Sequence, residues 1–201
     1  MESIFAIILI NALVFIGLAT RTPDVQNQII QSIGLTPAAV WSHPWQIVTS
    51  MFTHQEFLHI LFNMWTLYFF GSAILQILGT RKFWIIYMVG GIVGSLIYIL
   101  LAYAGTAMTF GWFGDINTTA IGASGAIFAL GGALAVLRPS MRVIFFPIPV
   151  PMPLWMAIVG SFVVLTLIPG VAWQAHLGGL AFGGAAGWYY KRNMFNDHRW
   201  N

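Results

Sequence analysis

Cysteine is absent from this chain of 201 residues, and only 6% of its residues are charged. The first absence excludes disulfides, thiol catalysis and cysteine-held zinc, and leaves the redox compartment unreadable. The second excludes an ordinary soluble domain, in which about a quarter of the residues are charged. Acidic residues are scarce, and Asp24, Asp115 and Asp197 fall outside every apolar stretch, so a pair of intramembrane aspartates cannot form. A His-Glu-x-x-His zinc motif is missing too, because His54-Gln55-Glu56 has the wrong spacing. Lys and Arg form no stripe of the kind that binds nucleic acid. No metal, no cofactor and no nucleic-acid partner are therefore expected. No Lys or Arg precedes the first apolar run, which argues against a cleaved signal peptide and for a retained span.

What remains is apolar: 59% of the residues are hydrophobic, and the mean hydropathy is +0.83. Apolar stretches occupy 4–19, 57–78, 83–104, 120–137, 152–168 and 171–190, and most reach or approach the ~20 residues needed to cross a bilayer. The expected fold is all-α and polytopic: one six-helix membrane domain over 1–201, with a long first loop at 21–56. Basic residues set its orientation. Arg81, Lys82, Arg138, Arg142, Lys191, Arg192 and Arg199 flank one face and Arg21 alone the other. The positive-inside rule makes the first face cytoplasmic, with both termini on it.

The first loop carries Trp41, Trp45, Thr49, Phe52 and Thr53 and is expected to lie in the outer interface, where amphipathic rings settle. Around Val143 to Phe146, Pro139, Pro147, Pro149, Pro151 and Pro153 block helix and favour an extended strap. A loop at 104–119 leads into the fourth stretch, and Pro169-Gly170 separates the last two.

Two polar residues stand out inside spans: Ser124, in Gly122-Ala123-Ser124-Gly125, and His176, in Ala175-His176-Leu177-Gly178-Gly179. Counting from Arg138 and Lys191, helical rise puts them about 21 and 22 Å from one surface. In a core roughly 30 Å thick, both lie about 8 to 9 Å below the other. An imidazole in lipid is costly and marks a functional candidate. Serine attacks only when a base takes its proton, and histidine is the usual base. His176, Gly179, Gly183 and Gly187 recur at helical spacing, a small-residue stripe that permits close helix contact. Ser124 heads a face with Phe128, Gly131 and Ala135, and packing the two faces would bring hydroxyl and imidazole together. His59 and Asn63, four residues apart, share one helical face at roughly the same depth. An imidazole and an amide there can donate to an oxyanion beside the Ser124 N–H, and the helix N-terminus favours negative charge.

In these motifs the chain resembles the rhomboid family of intramembrane serine proteases. Gly122-Ala123-Ser124-Gly125 matches its GxSG, His59-Ile60-Leu61-Phe62-Asn63 its HxxxN, and Ala175-His176 with Gly179 and Gly183 its last-helix motif. The resemblance implies that Ser124 is the nucleophile, His176 the base and acid, and His59, Asn63 and the Ser124 amide the oxyanion hole. Gly122, Gly125, Gly179 and Gly183 support them, with His54 at the cavity rim. It also implies cleavage of a membrane-anchored protein near the outer face, so the partners are transmembrane substrates and lipid. Two positions depart from the pattern: Gln46 follows Trp45 where the family has arginine, and Phe128 replaces tyrosine, its ring still able to stack on His176. The expected location is the cytoplasmic membrane of a prokaryote. A catalytically silent rhomboid-like binder of membrane clients is the alternative, and a small transporter using His59, Asn63 and His176 is a third reading.

Overall fold

A computed structural model describes residues 1–108, 111–145 and 148–196. Phe146, Pro147, Asp197 and Arg199, on which parts of the expectations rest, lie outside them. In chain order the elements are α1 (Glu2–Ala19), α2 (Pro23–Ile33), α3 (Gln46–Thr49), α4 (Phe57–Leu78), α5 (Thr80–Met108), α6 (Ser124–Leu137), β1 (Arg142–Phe145), β2 (Ile148–Pro153), α7 (Leu154–Thr166) and α8 (Trp173–Asn196). Among the described residues three 3-10 turns, Pro37–Ala39, Ser50–Phe52 and Gly111–Phe113, interrupt the loops.

Among the described residues α1, α4 and α5 are long and apolar enough to cross a membrane, and α6 and α7 are shorter apolar helices. Large apolar side chains face outward along them: Leu13 on α1, Trp65 on α4 and Val164 on α7 are each about three-fifths exposed. In water such a surface would be an aggregation hazard, whereas lipid is the solvent it fits. Only Gly79, at φ +79°, separates α4 from α5, because a left-handed residue lets the chain reverse within one position.

The central helix is α6. Every residue from Gly125 to Leu134 is buried, with Ile4 and Ile7 of α1, Leu67 and Ile74 of α4, Phe83 and Ile86 of α5, and Leu154 and Ile158 of α7 in the same core. Lipid tails are as apolar as leucine, so helices here associate through close packing rather than water expulsion. Glycine makes that possible along α8. A Cβ at Gly179, Gly183 or Gly187 would run into the backbone carbonyls of Gly125, Ala129 and Ala133 respectively. The contact seam on α6 is therefore Gly125, Ala129 and Ala133, which corrects the expected face through Gly131 and Ala135. Gly131 faces the Phe70 ring and Ile158 instead. The backbones touch one residue round from Ser124, which leaves the Ser124 and Phe128 side chains to reach sideways.

Two features depart from an all-α bundle. The proline-rich connection is a hairpin, β1 and β2 being antiparallel with Arg142 opposite Pro153 and Phe145 opposite Ile148. Proline's fixed φ and missing N–H favour extended chain there. The serine stretch, moreover, is not helical from residue 120, since α6 starts only at Ser124. Non-helical backbone at membrane depth must find partners inside the protein, and the first loop supplies them. Leu35 and Ala120 exchange both backbone hydrogen bonds at 2.9 Å, and Gly122 N–H donates to the Ser50 carbonyl, also at 2.9 Å. The first loop is thus folded onto the bundle and carries its own small core of Leu35 and Val40 against Tyr98.

Candidate active site

Four segments converge at the head of α6. The α6–α8 seam sets the distance between Ser124 and His176. With their backbones in contact at Gly125 and Gly179, Ser124 Oγ and His176 Nε2 lie 2.7 Å apart. His176 is buried and Ser124 partly so. The imidazole stacks on Phe128 at a centroid distance of 4.6 Å and 29° between planes, and Phe162 of α7 meets Phe128 edge-on at 6.1 Å. Nδ1 of His176 has no hydrogen-bond partner among the described residues, so the Phe128 ring, not a carboxylate, orients the imidazole.

The segment before Ser124 is held from the other side. Gly122 has φ +119°, a conformation that side chains resist. A Cβ there would also lie 2.7 Å from His59 Nε2, so glycine is needed twice over: for its torsion and for the ring that lies against it. His54 is fully buried and meets His59 edge-to-face at 4.8 Å, while the Ala123 N–H donates to its Nε2 at 3.4 Å. Burial, with a smaller contribution from His59, pushes the His54 imidazole down to about 3. It is neutral at ordinary pH and available as that acceptor. Asn63 is buried one turn along from His59, and its Nδ2 donates to the His59 carbonyl at 2.8 Å. Its Oδ1 has no partner among the described residues.

The ten residues singled out from sequence therefore form two groups. Ser124, Phe128 and His176 meet over the seam of Gly125, Gly179 and Gly183, whereas His54, His59 and Gly122 meet on the α4 side of the serine turn. Asn63 joins the second group through its own helix. Ala123 provides no side-chain cap to α6, so the first N–H groups of the helix, including that of Ser124, have no carbonyl of their own helix to bond. A cavity of about 30 Å³ lies beside Ser124, lined by Leu35, Met51, Gly91, Ser95 and Ala172 among others. One water needs about 10–15 Å³ by that measure.

Several contributors are not apparent from sequence. Gln46 is fully buried. Its Oε1 accepts from Thr36 N–H at 3.1 Å, and its Nε2 donates to the Gln31 carbonyl at 2.9 Å. Trp45 Nε1 and Thr49 Oγ1 tie to the carbonyls of Ser32 and Ile33, and Ser95 of α5 donates to Ile47. A neutral amide thus pins the first loop at the position where the family pattern has arginine. The signal in the sequence is slight: Gln46, Thr49 and Ser50 interspersed with apolar Ile47 and Val48. Among the described residues no group of three or more His, Asp or Glu is placed to hold a metal ion.

The Rhomboid domain family matches residues 42–193. Over 156 residues the chain is 33% identical to rhomboid protein 1, mitochondrial, of Saccharomyces cerevisiae, covering 73% of this chain and 42% of that protein. It is 32% identical over 149 residues to the human presenilin-associated rhomboid-like protein, mitochondrial, covering 73% and 36%. With RHOMBOID-like protein 12, mitochondrial, of Arabidopsis thaliana it shares 33% over 145 residues, covering 67% and 43%. The chain spans less than half the length of these relatives.

Their names overturn the expected location in a prokaryotic cytoplasmic membrane, since these relatives are mitochondrial proteins of a yeast, a mammal and a plant. Hydropathy and the Lys/Arg bias orient a chain relative to a bilayer but carry no label for which bilayer it is. The domain match covers more than half of the chain, and with the identities above it establishes that this protein belongs to the rhomboid family.

Proposed function

We propose that this chain is an intramembrane serine endopeptidase that hydrolyses peptide bonds in or near the transmembrane segments of membrane proteins, using Ser124 and His176 as a dyad. The observation that carries the reading is the 2.7 Å contact between Ser124 Oγ and His176 Nε2, made in an otherwise apolar bundle, where a polar pair is costly to place. With Nδ1 protonated and Nε2 bare, the Ser124 hydroxyl donates to His176. As Oγ attacks the substrate carbonyl, Nε2 takes its proton and later passes it to the leaving amine, producing an acyl-enzyme. Water then attacks the ester, again through Nε2, and the acid product leaves Ser124 free.

The tetrahedral oxyanion is held by the Ser124 N–H at the head of α6, the His59 ring and the Asn63 amide. Asn63 has one amide proton engaged with His59 and the other free to donate. The cavity beside Ser124 is large enough for the hydrolytic water. In this reading α1, α4, α5, α6, α7 and α8 are six spans of one domain, both termini lie on the Lys/Arg-rich face, and the dyad opens to the opposite face. Backbone inside a regular helix is hydrogen-bonded and costly to free in lipid. The preferred substrates therefore carry Gly, Pro or small polar residues near the site-face end of a single span.

The test is incubation of the purified protein with a panel of single-span proteins in liposomes, beside Ser124→Ala. Fragments from the wild type alone support the dyad. Binding without fragments from either would instead identify a silent client binder.

A further inference from the structure

The end of the bundle remote from Ser124 holds an open groove of about 630 Å³ between the last turns of α4 and the exit of α6, within the 300–1,000 Å³ typical of small-molecule sites. Ile77, Leu137 and Met141 form apolar wall, and Gln76, Arg138 and Ser140 the polar part. Its wall is a fixed turn, because Met141 N–H donates to the Arg138 carbonyl and Leu154 N–H to the Met141 carbonyl. The groove straddles the level at which α6 ends at Leu137 and its first charge, Arg138, begins.

Three other cations of this face are engaged: Lys191 donates to the Val136 carbonyl at 2.9 Å, Lys82 lies over the Tyr190 ring and Arg192 over Trp188. Arg81 and Arg142 are exposed but do not line the groove. Arg138 forms no side-chain hydrogen bond or ion pair among the described residues, is exposed, and lines the groove. Acidic competition is slight. Asp24, Glu56 and Asp115 belong to the site end, and Glu2, whose neighbour Ser3 accepts a hydrogen bond from Trp84 at this end, does not line the groove.

We propose that this groove binds an anionic phospholipid, with its phosphate on Arg138, Gln76 and Ser140 and its upper acyl chain along Ile77, Leu137 and Met141. Three properties select that occupant over a soluble anion or a protein segment. The groove lies at the boundary between apolar and polar chain, its wall is amphipathic in the same sense as a lipid, and its cation is a guanidinium, which holds phosphate oxygens through a planar fork. A zwitterionic lipid gains less, because its ammonium group offsets the charge that Arg138 attracts. The inference does not depend on protease activity, and its readout is bound lipid rather than cleavage.

The test uses the full chain reconstituted in phosphatidylcholine vesicles with phosphatidylglycerol as the minor component, then extracted gently and weighed by native mass spectrometry. Wild type should retain phosphatidylglycerol in preference to phosphatidylcholine. Arg138→Gln should weaken that retention by roughly tenfold or more, the effect of one charge-assisted hydrogen bond. Arg192→Gln removes the same charge from the same face and should leave retention unchanged. Gln76→Glu, at an exposed wall position, should weaken it by repulsion and carries the test if Arg138→Gln does not fold. Equal losses in the two arginine variants would mean a general surface field and overturn the site. So would unchanged retention in Arg138→Gln and Gln76→Glu, displacement of the lipid by inorganic phosphate at matched concentration, or a change in oligomeric mass in place of lipid loss, which would assign the groove to a second copy of the chain.

Discussion

Replacing Gly179 by alanine adds one methyl group at the point where α8 rests on α6, and the geometry sets the consequence. The new Cβ would overlap the Gly125 carbonyl oxygen at a separation below 3.0 Å, which real Cβ atoms essentially never show. Neither partner can yield by rotating a side chain, since the obstacle is backbone. The helices must separate by about an ångström, and overpacking of this kind typically costs about 1–3 kcal/mol. His176 lies one turn from Gly179 and Ser124 one residue from Gly125, so the separation falls on the 2.7 Å contact. A misplacement of about 1 Å can lower turnover roughly 10²-fold. Gly184→Ala is the matched control: its Cβ meets nothing within 4 Å, and alanine is the better helix former by about 1 kcal/mol. Thermal melting in detergent and cleavage of a single-span substrate should therefore move down together in Gly179→Ala, while Gly184→Ala melts at or above the wild-type temperature with activity retained. A Gly179→Ala protein that melts and cleaves like wild type would refute the idea that backbone contact sets the dyad distance.

Ser124→Ala and His176→Ala should be equally inactive on single-span substrates, and the double variant no worse than either, because the two groups act as a unit; multiplicative losses would contradict the dyad. His59→Ala and Asn63→Ala should each retain cleavage measurable above Ser124→Ala. Removing one oxyanion donor costs roughly 10² to 10³, and here three share the load, so wild-type rates in either variant would remove that side chain from the hole. Gln46→Ala should lower the melting temperature, because it strands the buried Thr36 N–H and the Gln31 carbonyl at about 1–3 kcal/mol per unsatisfied group; an unchanged melt would show that the first loop is held without it. A cysteine introduced as Ser124→Cys should react with an impermeant thiol reagent added to the face opposite Lys191 and Arg192, and labelling only from the basic face would invert the topology.

Much of this protein was legible in its order of residues. Hydropathy bounds α1 and α4 closely, since an apolar run ends where lipid ends and the chain must then turn polar. The similar depth of Ser124 and His176 follows from helical rise alone, and the stripe from His176 to Gly187 announces a close helix contact. Tertiary structure decided what pattern could not. Small residues at 124, 125, 126, 129, 131, 132, 133 and 135 offer several possible seams, and only packing of α8 selected Gly125, Ala129 and Ala133 over Gly131 and Ala135. The late start of α6 was likewise hidden, because residues 120–123 are as compatible with a span as those after them. Their backbone leaves the helix only because Leu35, Ser50 and His54, from 69 to 85 positions away in sequence, supply its hydrogen bonds. In the sequence Gln46 is a lost charge; in the fold its amide bridges Thr36 and Gln31. Composition and periodicity determine which segments enter the membrane and how deep a residue sits. Which side chains face one another across it depends on contacts between distant segments, and no local pattern encodes those.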